Sequence, residues 1–263
     1  MRPASRCAFA LGAAWLAAGA CGGSSSGDDA AGGGDGSGGA AGNDGSADAT
    51  HPGADGAGAC MSDRSVHRGE GTYYTFADGS GNCSFPATPG MLMVGAMNHV
   101  DYGSSAACGT CVHLTGPKGS IDIRIVDQCP ECKAGDIDLA PTAFDGIADR
   151  TAGRVPITWN TIACDVSGPV IYHFKDGSNP YWTAVQIRNH RYRVARLEYK
   201  TAVGGWKAVA RLDYNYFVEG AGMGPGPYAF RVTDIYGRTL EDAGIALEAD
   251  ADVSGTAQFP VCD

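Results

Sequence analysis

Residues 120–144 read SIDIRIVDQCPECKAGDIDLAPTAF, and this stretch decides the fold class. Its first part, Ser120–Val126, is a short run rich in isoleucine and valine, which favours a strand. Its last part opens a predicted helix over Pro141–Asp149, because proline suits the first turn of a helix and apolar residues recur behind it at helical spacing. Helix-period segments are scarce elsewhere in the sequence.

Short β-rich runs separated by glycine and proline turns fill the rest of the chain from residue 60 onward. Many short strands at close spacing are typical of sandwiches and barrels, so we predict an all-β protein. A break at Ser167-Gly168-Pro169 puts the predicted domain boundary between residues 167 and 168. The other predicted strands are Met91–Ala96, Cys111–Leu114, Pro156–Ala163, Val170–Phe174, Thr183–Arg188, Arg193–Tyr199, Trp206–Arg211 and Tyr228–Thr233.

The N-terminus predicts export. Arg2 and Arg6 precede an uncharged apolar run over Cys7–Ala20. That run is too short for a helix that crosses the roughly 30 Å hydrocarbon core of a membrane, so residues 1–20 are interpreted as a signal peptide. Small residues before Cys21 resemble a bacterial lipobox, which predicts lipidation of Cys21. The alternative is a plain secreted protein.

Residues 21–59 are dominated by glycine, alanine, serine and aspartate and contain no lysine or arginine. Such a composition cannot bury enough apolar surface to form a core, so this segment is predicted to be a disordered tether. The whole chain has a net charge of −10, and residues 60–263 keep 17 basic and 23 acidic residues. This acidic balance argues against nucleic acid as a partner, since phosphate binding needs a basic face.

The cysteines beyond the N-terminal segment predict disulfides. Two CxxC pairs have the spacing of a zinc ribbon in a cytosolic protein. An even number of cysteines in an exported chain instead favours four disulfides over a metal site or redox chemistry. The pairing stays open at this point. The eight cysteines are Cys60, Cys83, Cys108, Cys111, Cys129, Cys132, Cys164 and Cys262.

Three segments of the predicted first domain, residues 60–167, resemble a known family. They are GEGTYY at 69–74, IVDQCP at 125–130 and GDIDLAPTAF at 135–144. They resemble the six-stranded double-psi β-barrel of expansins, a fold shared with family-45 endoglucanases and rare lipoprotein A.

Three segments of the predicted second domain, residues 168–263, extend the resemblance. They are KDGSNPYW at 175–182, QIRNH at 186–190 and LDYNYF at 212–217. They look like the second expansin domain, a family-63 carbohydrate-binding module with an immunoglobulin-like sandwich. Both domains stand in the family's order, so the resemblance covers about residues 67–263.

The resemblance implies a polar groove on the first domain. Asp138 matches the family's essential aspartate, which is the general acid in the related endoglucanases, and Thr72 and Asp127 match supporting groove positions. An inverting glycosidase also needs a second carboxylate as base. The aligned place of that base falls near Thr75, and the nearest acid, Asp78, lies in a glycine-rich turn. We therefore expect Asp138 to act without hydrolysis.

Several groove residues have structural alternatives. Asp138 could cap the following helix, Asp127 could cap a turn, and Thr72 could be an ordinary strand residue. Asp136 is expected to be a solvated turn residue. Some bacterial relatives carry a groove tyrosine at the position of Cys129, so that contact is either lost here or supplied by Tyr73 or Tyr74.

The resemblance also implies a carbohydrate-binding surface. Tyr181, Trp182 and Tyr214 match a row of three coplanar rings, which hold a flat glucan by stacking on sugar faces. Adjacent strand residues point to opposite faces, so Tyr181 and Trp182 can share one surface only in a loop or bulge. Lys175 is a further candidate for contact with the ligand. The alternative is that Trp182 and Tyr214 belong to the core.

Taken together, these features predict a protein that binds cellulose or another β-glucan of a cell wall and loosens it without hydrolysis. The alternatives are a family-45-like endoglucanase, a peptidoglycan lytic transglycosylase, and a surface polysaccharide adhesin. No cofactor or metal is expected. We expect a monomer that is secreted or held at the cell surface, with membrane contact only through a lipid on Cys21.

Overall fold

The computed structural model describes residues 65–75 and 77–262, which belong to one compact unit. The predicted signal peptide, the predicted tether, Cys21 and Cys60 lie outside the described residues. Within the described part of the chain, no helix is both long and apolar enough to span a bilayer.

Six strands form the first part of the fold: β1 (His67–Tyr73), β2 (Val94–Asn98), β3 (Cys111–Thr115), β4 (Ser120–Cys129), β5 (Ile137–Leu139) and β6 (Val155–Ile162). They close into a barrel in the order β1-β5-β2-β4-β3-β6. The pairs β1/β5 and β2/β4 are parallel, and the other neighbours are antiparallel. The predicted six-stranded barrel is confirmed.

Alternation along the strands separates the barrel core from its outer face. In β5, Ile137 and Leu139 are fully buried, whereas Asp138 between them is half-buried. Successive side chains of a strand point to opposite faces, so the same three residues contribute to the core and to the surface. The short strand therefore presents Asp138 outward from a rigid apolar base.

The predicted helix forms as α2 (Pro141–Ile147). It ends two residues earlier than predicted, because the next residue, Ala148, is extended. Its buried face packs on β1, β4 and β5. Two shorter elements, α1 (His99–Tyr102) and a 3₁₀ helix at Arg150–Ala152, are single turns, too short to show a helical period. The buried residues of α2 are Ala143, Phe144 and Ile147.

Eight strands form the second part of the fold: β7 (Ile171–Phe174), β8 (Thr183–Arg188), β9 (Val194–Lys200), β10 (Trp206–Arg211), β11 (Phe217–Glu219), β12 (Tyr228–Asp234), β13 (Thr239–Ile245) and β14 (Ala251–Ser254). β10 pairs with β9 along its first four residues and with β11 along its last two, so it joins two halves of one sheet. The rings of Tyr172 in β7 and Phe230 in β12 stack with their centres 5.0 Å apart. The two halves therefore fold over a shared core, and the predicted sandwich is confirmed.

Strands that lie outside the predicted runs are short or polar. β5 and β11 have three residues each, and β1, with the sequence HRGEGTY, lacks an apolar alternation. Pairing with neighbouring strands, rather than β-propensity, specifies them. The boundary at 167/168 stays a prediction; β6 ends at Ile162 and β7 begins at Ile171.

Disulfides cross-link the barrel. Bridges join Cys83 to Cys108, Cys111 to Cys164 and Cys129 to Cys132, and Cys262 is also disulfide-bonded. Every described cysteine is thus oxidised, as predicted. The first CxxC pair is divided between two bridges, so the zinc-ribbon alternative is wrong.

Candidate functional site

A row of residues in register crosses the outer face of the barrel. Thr72 of β1 lies opposite Asp138 of β5. Ala96 of β2 lies opposite Asp138 on one side and opposite Asp127 of β4 on the other. Residues in register on adjacent strands share a face of the sheet. The structure therefore brings together the three groove residues that the sequence predicted.

Asp138 is held in a partly desolvated site. Thr72 Oγ1 donates a hydrogen bond of 2.5 Å to Asp138 Oδ1. Burial raises the pKa of Asp138, the hydrogen bond from Thr72 opposes that rise, and the negative charges of Glu131 and Asp127 add to it. The Asp138 carboxyl consequently keeps its proton to a higher pH than an exposed aspartate does.

Two structural expectations are corrected. The N-cap of α2 is Ala140, which makes no side-chain cap, so the alternative that Asp138 caps this helix is wrong. Asp136 is buried rather than solvated: its Oδ1 accepts the Glu70 N–H at 2.8 Å and its Oδ2 accepts the Lys133 N–H at 3.1 Å. Its carboxylate ties β1 to the loop that precedes β5.

Asp127 combines a structural contact with a free acceptor. Its Oδ1 accepts the backbone N–H groups of Asn82 at 2.6 Å and Gln128 at 2.8 Å. Gly81 permits the close approach, since a Cβ there would lie 2.4 Å from the Asp127 Cβ. Asp127 thus caps a turn with one oxygen, Oδ1, whereas its Oδ2 has no hydrogen-bond partner among the described residues.

Tyr74 joins the groove. It lies two positions after Thr72 along an extended chain, so both face the same side. Burial raises its pKa to about 12, with added effects from three aspartates, Asp127, Asp138 and Asp78. Its hydroxyl has no hydrogen-bond partner among the described residues. The two-residue spacing from Thr72 is the sequence signal that favours Tyr74 over Tyr73.

Tyr73 lies elsewhere. Its ring centre is 4.9 Å from that of Phe144 in α2, and its hydroxyl donates to Arg150 O at 3.4 Å. By alternation it faces away from Thr72. The structure does not bring Tyr73 together with the groove carboxylates, and a role for it in carbohydrate binding stays a prediction.

Asp78 lies in its own turn. Its Oδ1 accepts the Ser80 N–H at 2.9 Å and the Ser80 hydroxyl at 2.5 Å, and these hydrogen bonds lower its pKa. The carboxylates whose charges shift the pKa of Asp138 are Glu131 and Asp127. Asp78 is therefore engaged locally instead of being aimed at Asp138.

The aromatic turn, Asn179–Trp182, precedes β8. Asn179 and Trp182 exchange two backbone hydrogen bonds, of 2.8 and 3.2 Å, and Asn179 Oδ1 accepts the Tyr181 N–H at 2.9 Å. This is the irregular segment that the sequence predicted, so strand alternation does not separate the two rings. Tyr181 is 83% exposed, and Trp182 is half-buried and lies outside the buried core, so the core alternative for Trp182 is wrong.

Lys175 and Tyr214 meet at Tyr216, a residue that the sequence analysis missed as a site residue. Lys175 Nζ lies 5.6 Å from the centre of the Tyr216 ring, and the Tyr214 ring centre lies 5.8 Å from it. Tyr216 is buried, and burial raises its pKa. Its ring contacts that of the half-buried Tyr214. Because residues 212–216 form a turn, no strand alternation in the sequence marks Tyr216 as a site residue.

The Tyr216 ring lies on one face of the sheet formed by β7, β8 and β11. His173 in β7 is in register with Gln186 in β8, and its ring centre lies 6.1 Å from that of Tyr216. Gln186 is four residues beyond Trp182, which corresponds to roughly 13 Å along a strand. The aromatic turn comes just before β8 and Tyr214 just before its antiparallel partner β11, so the two lie toward opposite ends of this sheet.

The barrel packs on this surface at the Tyr214 end. Gln186 Nε2 donates to Cys83 O at 2.9 Å, and Asn215 Nδ2 donates to the same oxygen at 3.2 Å. Both contacts join the second part of the fold to the barrel. The turn that carries Tyr214 therefore lies beside the barrel.

The site offers hydrogen-bonding and stacking groups. Among residues 65–75 and 77–262, no group of three His, Cys, Asp or Glu is arranged to hold a metal ion. The groove residues can donate and accept hydrogen bonds, and the aromatic residues beside the sheet can pack their apolar ring faces on a ligand.

Comparisons with known proteins cover both parts of the fold. A protein-family model described as lytic transglycolase matches residues 94–159, within the barrel. The chain is 32% identical over 204 residues to expansin YoaJ of Bacillus subtilis, covering 74% of this chain and 87% of that relative. It is also 32% identical over 212 residues to expansin-like protein 2 of Dictyostelium discoideum, of which it spans 50%.

Comparison with solved structures gives the same result as comparison with these sequences. The expansin of Clavibacter michiganensis superposes with a TM-score of 0.70 at 33% identity, covering 75% of this chain and 100% of that one. A mutant of the same expansin in complex with cellohexaose gives a TM-score of 0.70 at 32% identity. On sequence and on structure, this chain belongs to the expansin family.

Proposed function

We propose that this protein binds cellulose or another β-glucan of a cell wall and loosens it without cleaving the glucan. One observation carries the proposal: the half-buried Asp138 carboxyl, hydrogen-bonded by Thr72, lies in a groove of a barrel that packs against the sheet bordered by the candidate aromatic rings. Such an arrangement supplies both a place to bind a glucan and a group that competes for its hydroxyls.

The aromatic surface supplies the binding. The faces of Tyr181, Trp182 and Tyr214 offer apolar area on which sugar C–H groups pack while water is displaced. Each Å² of apolar area removed from water contributes roughly 25 cal/mol. The complex of the Clavibacter expansin with cellohexaose supports a β-glucan as the ligand.

The groove supplies the loosening. The Asp138 carboxyl oxygens can accept hydrogen bonds from glucan hydroxyls, and its raised pKa widens the pH range in which it also carries a proton to donate. The Oδ2 atom of Asp127 adds an acceptor. Each hydrogen bond made to the groove replaces one between glucan chains, and no covalent bond breaks.

We expect no cleavage because neither Asp78 nor Asp127 is well placed to act as the base. Inverting hydrolysis needs a second carboxylate, roughly 6.5–9.5 Å from the acid, to activate water. Asp78 is held by Ser80, and two backbone N–H groups occupy Asp127 Oδ1. Asp127 is also two strands away from Asp138, or roughly 10 Å at about 4.8 Å per strand spacing.

The test scores loosening and cleavage separately. Cellulose and mixed-linkage glucan are incubated with the protein, and mechanical weakening and new reducing ends are measured on the same samples. We expect weakening without reducing ends, and no weakening with Asp138→Asn. Steady release of reducing ends that disappears in Asp138→Asn would overturn the proposal in favour of a glucanase.

A second candidate function is cleavage of peptidoglycan, and the family-model match over residues 94–159 favours it. Transfer of a glycosyl group to a hydroxyl of the substrate itself needs an acid such as Asp138 but no activated water. Incubation with purified peptidoglycan, followed by analysis of the soluble fragments, decides between the two. The third hypothesis, a surface adhesin, predicts binding to β-glucan without mechanical weakening.

The proposal includes an exported monomer, with the barrel at residues 60–167 and the binding domain at 168–263. The oxidised state of the described cysteines supports an oxidising compartment. Lipidation of Cys21 is tested by mass analysis of protein extracted from membranes. If a lipid on Cys21 anchors the protein, the full-length Cys21→Ala variant should be released into the medium.

A further inference from the structure

The groove and the aromatic surface meet at one side chain, Asn82. Its backbone N–H donates to Asp127 Oδ1 at 2.6 Å, and its side-chain Nδ2 donates to Asp213 O at 2.9 Å. Asp213 directly precedes Tyr214. One residue therefore contacts both a groove carboxylate and the segment that presents an aromatic ring.

A buried tyrosine reinforces this link. Asn82 Nδ2 also donates to the Tyr102 hydroxyl at 2.9 Å, and that hydroxyl donates to Asp213 O at 3.0 Å. Tyr102 is 1% exposed, and burial raises its pKa to about 12, so it remains a donor at physiological pH. The three groups form a closed triangle of hydrogen bonds.

The backbone around Asn82 has little freedom to move. Cys83, the next residue, is bridged to Cys108. Gly81, the preceding residue, lies so close to Asp127 that a Cβ would be 2.4 Å from the Asp127 Cβ. A displacement of Asn82 would therefore displace the Asp127 carboxylate as well.

We propose that Asn82 is a positioning residue that couples the Asp127 carboxylate to the Tyr214 ring, so that both contact one glucan chain at once. Its backbone occupies Oδ1 of Asp127 and leaves Oδ2 for the ligand, while its side chain fixes the turn before Tyr214. The spacing of the two contacts is then set by a single residue. This inference rests on the proposed binding of β-glucan.

The test is a mutant cycle on the full chain, with cellohexaose and a longer soluble β-glucan as probes. Asp127→Ala and Tyr214→Ala are measured singly and together. Contacts that act as one unit are not additive, so the double variant should lose roughly five- to tenfold less affinity than the product of the single losses. An Asn82→Ala background keeps the backbone donor but lacks Nδ2. In that background, the affinity loss of the double variant should equal the product of the two single losses.

Ser105→Ala is the matched control. Ser105 Oγ donates to Leu212 O at 2.7 Å, so it joins the same turn to the barrel without touching Asp127. We expect the non-additivity to survive in this variant. If Ser105→Ala abolishes it as Asn82→Ala does, general loosening between the two parts explains the effect and the inference fails. It fails equally if the non-additivity persists in Asn82→Ala.

The remaining outcomes are also decisive. Thermal unfolding verifies that each variant is folded, and Asn82→Asp, which keeps the shape but removes the donor, replaces Asn82→Ala if the latter does not fold. A wild-type protein that binds neither probe would overturn the proposed function. A wild-type protein that binds both but shows multiplicative losses would overturn this inference alone.

Discussion

The barrel groove and the aromatic turn hold their functional side chains by opposite means. In the groove, Asp138 and Asp127 lie on paired strands, and protein hydrogen bonds orient both carboxylates. In the aromatic turn, Tyr181 is 83% exposed, and backbone hydrogen bonds orient the turn rather than the ring. The groove is polar and preorganised, whereas the turn is an open apolar surface.

This difference shows which property each region can control. Hydrogen bonds strengthen where water is partly excluded, so the groove is suited to compete with hydrogen bonds between glucan chains. Exposed rings gain free energy only from the area that a ligand covers. Changes at Asp138 should therefore alter chiefly what happens to the polymer, whereas changes in the aromatic turn should alter how much protein binds.

The largest difference between the groove and the aromatic turn is expected from Asp138→Ala. We expect wall or paper weakening to fall to background while cellulose binding stays within about twofold, because the aromatic surface is untouched. Asp145→Ala, which removes an exposed carboxylate of α2 paired with Arg150, is the control and should keep both activities. Equal losses of binding and weakening in Asp138→Ala would mean that the two regions are not separable.

The second largest effect concerns the cross-links behind the groove. Cys111 and Cys164 close a loop of 53 residues, and Cys129 and Cys132 a loop of 3. From loop-closure entropy we expect the first bridge to contribute about 4 kcal/mol to the free energy of unfolding and the second about 1.6 kcal/mol. Urea unfolding of the two double-alanine variants measures the difference; equal destabilisation would contradict this account.

A smaller effect is expected from Trp182→Ala. Losing one stacking ring should cost about 1–2 kcal/mol, or roughly tenfold in cellulose affinity, with the melting temperature nearly unchanged because Trp182 lies outside the core. Trp206→Ala is the matched control: that ring lies in β10 beneath Arg231, 4.7 Å away, and its removal should leave binding unchanged. An unfolded Trp182→Ala protein would show that the ring has a structural role.

The smallest effect is the pH dependence of stability. The pKa of Asp138 is raised in the folded state by burial, so the folded protein binds more protons than the unfolded chain above the usual aspartate pKa. This carboxyl should therefore lower stability as the pH rises through that window. Asp138→Asn removes the effect, so its melting temperature relative to wild type should increase from acidic to neutral pH. A decrease would mean that the fold favours the ionised carboxylate.

Local sequence patterns predicted much of the fold. The bounds of β8 and β10 agree with the predicted Thr183–Arg188 and Trp206–Arg211, since β-rich composition and flanking turns are local signals. The helix after Pro141 was also predicted from its spacing. Strands β5 and β11, with three residues each, depend on partners supplied by distant segments and carry no such signal.

The groove residues show the same division between what local sequence predicts and what distant contacts decide. Thr72, Asp127 and Asp138 were identified by resemblance, and their register on neighbouring strands brings them together. Asp136 was misjudged, because its burial comes from backbone N–H groups contributed by two separate segments. Tyr74 and Tyr73 were both candidates, and the alternation of side chains that begins in β1 separates them.

Composition, alternation and motifs are local signals, and they predicted the all-β class, the oxidised state of the described cysteines and the identity of the polar and aromatic groups. The fold, by contrast, settles which cysteines pair. It also decided that Asn82 contacts Asp127, 45 residues away, and Asp213, 131 residues away. Such contacts depend on how loops close and elements pack, and no local propensity encodes them.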